Sequence, residues 1–395
     1  MDKRDVVIIS ACRTALGTFN GSLSQIPATT LGSIVINEAL SRAGAPKEAV
    51  DEVIMSQVLP CGCGQNPARQ AMVKAGLPCE TGALTINKVC GGGLKAIGLA
   101  AQAIKCGDAD VVVAGGMENM SLAPFYLEKA RFGFRMGNGK IMDHMVHDGL
   151  WDIVNDFHMG ISNDLISDDY KISREDQDKY AEMSYVRALK SIADGKFKDE
   201  IVPVEIPGKK GEKVVFDTDE GPRPTDYESL AKMKPAFRKD GYATAGNSSI
   251  IADGASAVCL MAREKAEALG CKPMAEILAH GSSGLDMKYV LIAPIKSIPK
   301  VLKKAGLELK DIDLNEVNEA FSGSTVCVMR ELGMSTDNTN VNGGSVALGH
   351  PIGGSGARVL TTLLYEMKKR DLKTGQASLC LGGGESVTMI VRMEK

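Results

Sequence analysis

Two cysteines and one histidine stand beside glycine-rich turns, where side chains can meet a substrate. Cys90 lies in NKVCGGGLKA, His350 in ALGHPIGGSGAR and Cys380 in CLGGG. A histidine beside a thiol is the minimal activated nucleophile, because the imidazole takes the thiol proton. A single Cys-Gly step is more often structural, so residue type alone leaves Cys90 open between a reagent and a small core residue.

The segment after Cys90 is predicted to be a helix that ends at Gly107. Its apolar residues recur at helical spacing: Leu94, Ile97, Ala101 and Ile104. Cys90 then lies at a helix N-terminus, where free backbone N–H groups and the helix dipole favour a thiolate. Pro351 likewise suits the first turn of a helix after His350.

Two distant segments share one layout, INEALSRAGAPKEAVDEVIMSQV from Ile36 and IPKVLKKAGLELKDIDLNEVNEA from Ile298. Four positions match without a gap: Leu40, Ala43, Gly44 and Asp51 with Leu302, Ala305, Gly306 and Asp313. Each half continues with a glycine-rich helix start and an apolar strand running into glycines. We therefore predict a duplicated α/β unit whose equivalent helix starts meet at a pseudo-twofold axis. Asn318 follows the second-half strand, which is predicted to pair with DEVIMSQV.

The repeat divides the chain into three predicted regions. Residues 1–120, continued by 246–270, form one half of the core, and residues 271–395 form the other. Residues 121–245 form an inserted loop domain with a helix capped by Ser173. This insert is either a solvated surface excursion or a lid over a charged ligand.

Composition narrows the function classes. Hydrophobic residues make up 44% and charged residues 24% of the 395 residues, and the formal net charge is −3. This balance is typical of a globular protein and argues against a broad polyanion-binding surface. No apolar run reaches membrane-spanning length, so a cytoplasmic enzyme or binding protein is predicted.

Metal and nucleotide sites are not expected. Cys61 and Cys63 lack the usual zinc spacing and a second ligand pair nearby, and the GGSG run matches no phosphate-binding motif. Other cysteines are predicted to be packing residues, and two histidines surface residues: Cys12, Cys106, Cys259, Cys271 and Cys327, with His144 and His147.

From end to end the chain resembles the thiolase family. The matching segments, in family order, are SACRTALGTFNGSL, GQNPARQA, NKVCGGGLKA, VAGGMENMS, FHMG, DGYATAGNSS, VNEAF, GGSVALGHPIGGSGAR and CLGGG. The resemblance implies duplicated βαβαβαββ halves in a layered α-β-α-β-α core with an inserted loop domain. It also implies reversible condensation of two acetyl-CoA into acetoacetyl-CoA and CoA, with no separate cofactor, in a homotetramer or homodimer.

The resemblance also implies a role for each matching catalytic residue. Cys90 takes the acyl group as a thioester, His350 activates that thiol, and Cys380 is the acid/base that deprotonates the second acetyl-CoA. Asn318 holds a water that, with His350, stabilises the enolate oxygen. Backbone N–H groups of Cys90 and Gly382 form the other oxyanion hole.

Further matches imply the CoA site. Ser249 is expected near the pantetheine, and Arg223 and Ser229 near the nucleotide end. His158, Met159 and Phe321 are expected around the acyl and pantetheine groups. Outside this context, His158 is more often a structural histidine and Met159 a core residue.

Four positions depart from the family pattern. Gly92 replaces a serine, Ile250 a glycine, Ala252 an asparagine and Val290 a methionine. A shorter Val290 side chain is hypothesised to admit a longer or branched acyl chain. A second hypothesis is a reversible Cys90–Cys380 disulfide that switches the enzyme off.

Three alternatives remain open. A degradative 3-oxoacyl-CoA thiolase prefers longer chains, and condensing enzymes of the ketoacyl synthase type share the fold but use His/His or His/Asn with the cysteine. A non-catalytic acyl-CoA or lipid carrier would bind acyl-CoA without forming an acylated Cys90.

Overall fold

The computed structural model describes residues 4–208 and 212–394. Within these residues the strands are β1 Val6–Thr14, β2 Gly17–Thr18, β3 Glu52–Ser56, β4 Gly82–Ile86, β5 Val111–Asn119, β6 Phe125–Tyr126, β7 Met142–Asp143, β8 Trp151–Asp152, β9 Phe157–His158, β10 Ile201–Val202, β11 Val204–Pro207, β12 Lys213–Phe216, β13 Ala252–Ala262, β14 Ala275–Gly284, β15 Leu314–Val317, β16 Thr374–Leu381 and β17 Glu385–Met393. The helices in the same ranges are α1 Ala28–Ala43, α2 Pro67–Lys74, α3 Gly92–Cys106, α4 Met159–Tyr170, α5 Arg174–Ala193, α6 Tyr227–Ala231, α7 Arg263–Leu269, α8 Pro294–Ala305, α9 Ser322–Leu332, α10 Ser345–Leu348 and α11 Ser355–Arg370.

The central strands follow the order β15-β16-β17-β14-β1-β13-β5-β3-β4. On each side of the β14/β1 contact, two antiparallel pairings are followed by a parallel one. From the centre to β15 and to β3 the pairing order is therefore the same, as a pseudo-twofold duplication requires, and β4 extends the first half by one more strand. β15 occupies the position equivalent to β3 but pairs with β16, so the predicted pairing of β15 with DEVIMSQV is wrong.

The matching aspartates of the two halves do the same structural work. Asp51 accepts hydrogen bonds from the backbone N–H groups of Asp110 and Val111, at the start of β5. Asp313 accepts from Lys373 and Thr374, at the start of β16. The sequence repeat is therefore a structural repeat down to its side-chain hydrogen bonds.

Three clusters of buried apolar side chains lie between the helices and the strands. α1 packs on one face of the strands of the first half, and α8 on one face of the strands of the second. α3 and α11 pack against each other and against the remaining strand faces, which places them in the middle layer. This gives the predicted α-β-α-β-α arrangement. Because both faces of β5 are covered, its sequence is an unbroken buried run.

Smaller elements lie between β5 and β13. α5 begins with the predicted Ser173 cap, and Ser173 and Asp176 form a reciprocal capping box.

The ends of the two middle helices test two further predictions. α3 ends at Cys106, with Gly107 in the left-handed conformation, as predicted. α11 begins at Ser355, later than the position predicted for Pro351. The division at residues 120, 245 and 270 stays a prediction.

All ten cysteines, which lie within the described residues, are free thiols. Cys12, Cys259, Cys271 and Cys327 are buried as predicted, whereas Cys106 is exposed. His144, expected at the surface, is buried, and its Nε2 accepts a hydrogen bond from Cys61 N. No three His, Cys, Asp or Glu side chains in 4–208 and 212–394 are grouped as a metal centre needs, and no helix there is long and apolar enough to cross a bilayer.

Candidate active site

Glycines let the two middle helices touch by their backbones. A Cβ at Gly93 of α3 would lie 2.8 Å from Ala357 N of α11. A Cβ at Gly356 of α11 would overlap Leu94 N of α3. Any side chain here would therefore separate the helices. Because Cys90 directly precedes α3 and His350 precedes α11, this contact brings the two halves of the site together.

One cavity of about 220 Å³ lies between the halves. Eight of the predicted site residues line it: Cys90, His158, Met159, Ser249, Phe321, His350, Cys380 and Gly382. The rest of the lining is mainly apolar: Met120, Gly149, Leu150, Phe237, Ser248, Ile250, Ile251, Leu291, Ala320, Ile352 and Leu381. An apolar cavity with a few polar groups is typical of a small-molecule site.

Cys90 is held in a strained turn. The preceding residue, Val89, has φ of 42°, which is unusual for a β-branched side chain. Val89 packs against the turn after β16, where a Cβ on Gly382 would lie 3.1 Å from Val89 Cγ1. Gly383 and Gly384 continue that turn with φ of 90° and 85°, which explains the glycine run after Cys380. Strain of this kind is concentrated at functional sites.

Burial of the Cys90 thiol has a larger effect on its protonation than the position at a helix N-terminus. Burial raises the pKa of Cys90 to about 11, although hydrogen bonds from the Gly382 and Cys90 backbone N–H groups lower it. The thiolate predicted from the helix position is therefore not the resting form at neutral pH. The same two N–H groups face the Cys90 sulfur and are therefore close to any acyl group that the sulfur would carry.

His350 is neutral and keeps one nitrogen open. Burial, followed by the nearby Arg358, lowers the pKa of His350 to about 3. Its Nδ1 lies 2.6 Å from Ser355 Oγ, and the Ser355 hydroxyl is also 3.0 Å from Pro351 O. If that hydroxyl donates to Pro351 O, His350 Nδ1 carries the proton. Nε2 is buried without a hydrogen-bond partner in the described residues and is then a free base.

Cys380 and Asn318 come from neighbouring strands of the second half. Cys380 lies near the end of β16, and burial and the adjacent Cys90 raise its pKa well above the usual range. Asn318 follows β15, and its Oδ1 accepts a hydrogen bond from Ser345 Oγ at 2.7 Å. Asn318 does not line the cavity, but it lies two residues before Ala320, which does.

A buried carboxylate ties the loops around the site together. Glu118, near the end of β5, accepts hydrogen bonds from the N–H groups of Val58, Leu59 and Gly353. Gly353 belongs to the loop of His350, whereas Val58 and Leu59 belong to the loop after β3. Burial raises the pKa of Glu118 to about 7. Glu118 thus links the loops of the two halves.

His158 caps a helix and also lines the cavity. Its Nδ1 accepts from Gly160 N at 3.1 Å, which caps α4. Its ring stacks on Phe237 with 4.5 Å between ring centroids. Burial lowers the pKa of His158 to about 4, so the ring that lines the cavity is neutral.

Two predicted CoA residues lie away from the cavity. Arg223 places its guanidinium 5.1 Å from the centre of the Tyr185 ring. Ser229, in α6, directs its hydroxyl to Asp226. Their predicted contacts with the nucleotide end of CoA stay predictions.

Comparisons with known proteins agree with this geometry. The chain matches the thiolase N-terminal domain over residues 6–264 and the thiolase C-terminal domain over residues 271–393. The chain belongs to the thiolase family. An acetyl-CoA acetyltransferase of Pseudomonas aeruginosa is 54% identical over 387 residues, covering 98% of each chain. A probable acetyl-CoA acyltransferase of Staphylococcus aureus is 46% identical over 99% of each chain. The crystal structure of the Bacillus anthracis acetyl-CoA acetyltransferase superposes with a TM-score of 0.97, at 41% identity and 99% coverage of both chains.

The structure reassigns one departure from the thiolase pattern. Val290 is buried outside the cavity lining, whereas the next residue, Leu291, lines the cavity. The proposed consequence of a short Val290 side chain is therefore unsupported. Ile250 lines the cavity, and Ala252 lies in β13.

The sequence also left several thiolase site residues unassigned, among them Phe237, Leu150 and Glu118. Glu118 had a visible signal, since an acidic residue ends the buried apolar run VVVAGGMEN. Phe237 and Leu150 lie in irregular segments where no periodicity points to the cavity.

The departure at Gly92 has a steric explanation. Gly92 has ordinary helical backbone angles, so it is not required for its conformation. However, a Cβ there would overlap Ser56 Oγ and lie 2.8 Å from Ser56 Cβ. The hydroxyl that is absent at position 92 is thus replaced in space by the hydroxyl of Ser56.

We predict that Gly92→Ser destabilises the protein by about 1–3 kcal/mol through overpacking, and that Ser56→Gly relieves most of this loss. Thermal unfolding of both single variants and the double variant measures the coupling, which should exceed about 1 kcal/mol. If Gly92→Ser lowered the stability of the wild-type protein and of the Ser56→Gly variant by the same amount, the steric explanation would be contradicted.

Proposed function

We propose that this protein catalyses the reversible condensation of two acetyl-CoA into acetoacetyl-CoA and CoA. The observation that carries the proposal is the meeting of Cys90, His350 and Cys380 in one apolar cavity. Family membership and relatives named acetyl-CoA acetyltransferase support it. The reaction needs no separate cofactor, since CoA thioesters are its substrates.

In the first half-reaction, the sulfur of Cys90 attacks the carbonyl carbon of acetyl-CoA. Both Cys90 and His350 are neutral at rest, so the thiol proton passes to His350 Nε2 as the C–S bond forms. The N–H groups of Cys90 and Gly382 donate hydrogen bonds to the oxyanion that forms. The CoA sulfur leaves with the proton from His350, and acetyl-Cys90 remains.

In the second half-reaction, Cys380 passes its thiol proton to His350 Nε2 as its sulfur takes a proton from the methyl carbon of a second acetyl-CoA. Acetylation of Cys90 removes the neighbouring thiol that helps to raise the pKa of Cys380. The Nε2–H that His350 has gained and a water held by Asn318 donate hydrogen bonds to the enolate oxygen. The enolate carbon attacks acetyl-Cys90, and the Cys90 thiolate leaves and recovers a proton from His350 Nε2.

We assign the pantetheine and acyl groups to Ser249, His158, Met159 and Phe321. Arg223 and Ser229 are assigned to the nucleotide end, outside the cavity. The reversible disulfide between Cys90 and Cys380 stays a hypothesis, and a cytoplasmic location stays part of this proposal.

The proposed assembly is a homotetramer. Large apolar side chains of the segment between β5 and α4 are exposed: Phe125, Phe132, Met136, Ile141, Ile153 and Val154. Apolar surface of this kind is typical of an interaction site. β4 adds an unpaired sheet edge that a second copy can extend.

Mass spectrometry after mixing with acetyl-CoA tests the two thiols separately. We expect the wild-type protein to form acetyl-Cys90 and acetoacetyl-CoA, and Cys90→Ala to form neither. Cys380→Ala should still acetylate Cys90 but condense about 100- to 10,000-fold more slowly, the usual loss for a general base. Cys259→Ala, at a buried cysteine outside the cavity, is the control.

Two results would overturn the proposal. Binding of acetyl-CoA without acetylation of Cys90 in the wild-type protein would favour a non-catalytic carrier. Unchanged condensation by Cys380→Ala would remove Cys380 from the proton transfer.

The longer-chain 3-oxoacyl-CoA thiolase remains the second candidate function. The name of the Staphylococcus aureus relative, a probable acyltransferase, keeps it open. Leu291 bears on the choice, because it fills part of the cavity beside Phe321 and Cys380. A branched side chain there argues for a short acyl group.

We predict that Leu291→Ala raises the thiolysis rate of 3-oxohexanoyl-CoA relative to acetoacetyl-CoA by about 10-fold or more, since room for a methylene is worth about 10- to 200-fold in such pockets. Val290→Ala is the matched control, because it shortens a buried neighbour outside the lining. A similar change of preference in both variants would contradict the assignment of Leu291. Faster thiolysis of 3-oxooctanoyl-CoA than of acetoacetyl-CoA by the wild-type protein would favour the longer-chain function.

A further inference from the structure

Arg358 is a buried cation that lacks an anionic partner. It lies in the first turn of α11, is 1% exposed, and forms no ion pair within residues 4–208 and 212–394. Arg13 is also fully buried, but its guanidinium forms ion pairs with the carboxylates of Glu200 and Asp219. An unpaired buried charge is costly, so its retention calls for a specific explanation.

Glu316 is the carboxyl group that raises the pKa of Arg358 most, but the two side chains form no ion pair among the described residues. Burial raises the pKa of Glu316, even though Arg358 lowers it, and Glu316 Oε1 has no hydrogen-bond partner among the described residues. Arginine stays protonated even when burial lowers its pKa. Arg358 is thus a buried cation that no ion pair within these residues neutralises.

One hydrogen-bond chain connects this charge to the site. Arg358 Nη2 lies 3.0 Å from Ser345 Oγ, and Ser345 Oγ lies 2.7 Å from Asn318 Oδ1. Arginine only donates, so Ser345 accepts from Arg358 and donates its single hydroxyl proton to Asn318. The direction of the chain is therefore determined by its two ends, an arginine that can only donate and an amide oxygen that can only accept.

This direction orients the Asn318 amide. Oδ1 is occupied by the Ser345 hydroxyl, and Nδ2 is left buried without a partner in the described residues. His350 Nε2 is likewise open and buried. Asn318 Nδ2 and His350 Nε2, on separate loops, can thus each form a hydrogen bond with a substrate or a water.

We propose that Arg358 is a positioning residue for enolate formation, acting through Ser345 to hold Asn318 with its N–H₂ group toward the enolate side. The inference rests on the proposed condensation. When Cys380 takes the methyl proton, the electron pair of the C–H bond moves onto the carbonyl oxygen. The water held by the ordered Asn318 N–H₂ group and the charge of Arg358 stabilise that oxygen, and neither Asn318 nor Arg358 gains or loses a proton.

The proposed role of Arg358 affects only one of the two half-reactions. Acetylation of Cys90 uses the N–H groups of Cys90 and Gly382 and does not need Asn318. Proton removal from the second acetyl-CoA does. A residue needed only for the fold would affect both steps together.

Two rates test this inference: acetylation of Cys90 by acetyl-CoA, and exchange of the acetyl-CoA methyl protons with deuterated water. Ser345→Ala and Arg358→Met should slow exchange about 10- to 100-fold, less than the loss of a donor that touches the oxyanion. Ser345→Ala should leave acetylation within about threefold of wild type. Arg358→Met also removes a charge that lowers the pKa of His350, so for this variant the ratio of the two rates is compared. Arg358→Lys should recover part of the exchange rate, because lysine keeps the charge and a donor.

Thr361→Ala is the control, since it removes a different buried hydroxyl, on the same helix as Arg358, that donates to Ala357 O. Equal losses in both rates, or unchanged exchange in Ser345→Ala, would overturn the role of Arg358. Ser345→Ala removes only one oxygen and keeps the test decisive if the Arg358 variants do not fold. A wild-type protein that neither acetylates Cys90 nor exchanges protons would instead refute the proposed function, and this inference with it.

Discussion

The contact between the backbones of α3 and α11 is the constraint on which the site depends. Gly93 and Gly356 let these helices approach more closely than any side chain would permit. α3 begins two residues after Cys90 and α11 five residues after His350, so the distance between the helices affects how the two candidate residues meet. The duplicated strands enclose both helices in the middle layer.

Burial then decides the charges within the site. It raises the pKa of Cys90 and lowers that of His350, so the pair rests as neutral thiol and neutral imidazole. A neutral pair avoids the cost of two buried charges until a substrate accepts the attack. Arg358 is the exception, and a hydrogen-bond chain through Ser345 connects its charge to Asn318. Reactivity therefore arises from an arrangement that favours transient negative charge over resting charge.

Local patterns predicted much of this architecture, but not the properties that depend on both halves. The helix after Cys90, the Ser173 cap and the duplication follow from spacing within short segments, and the structure confirms them. The protonation of Cys90 could not be predicted, because it depends on burial by residues almost 300 positions away in sequence. Leu291 was missed in favour of Val290 because their turn departs from helical geometry at Tyr289, where φ is −106° and ψ is 18°. The assigned roles of the site residues stay predictions.

The central claim is that helix approach at the glycines, rather than the reactive groups alone, creates the nucleophile. Stoichiometric acetylation of Cys90 by acetyl-CoA in Gly93→Ala, followed by mass spectrometry, tests it most directly. The comparison is Gly98→Ala in the same helix, whose Cβ would meet the movable ring of His280 rather than the backbone of α11. The account predicts that Gly93→Ala loses most acetylation while Gly98→Ala retains it. Full acetylation of a folded Gly93→Ala protein at the wild-type rate would contradict the account.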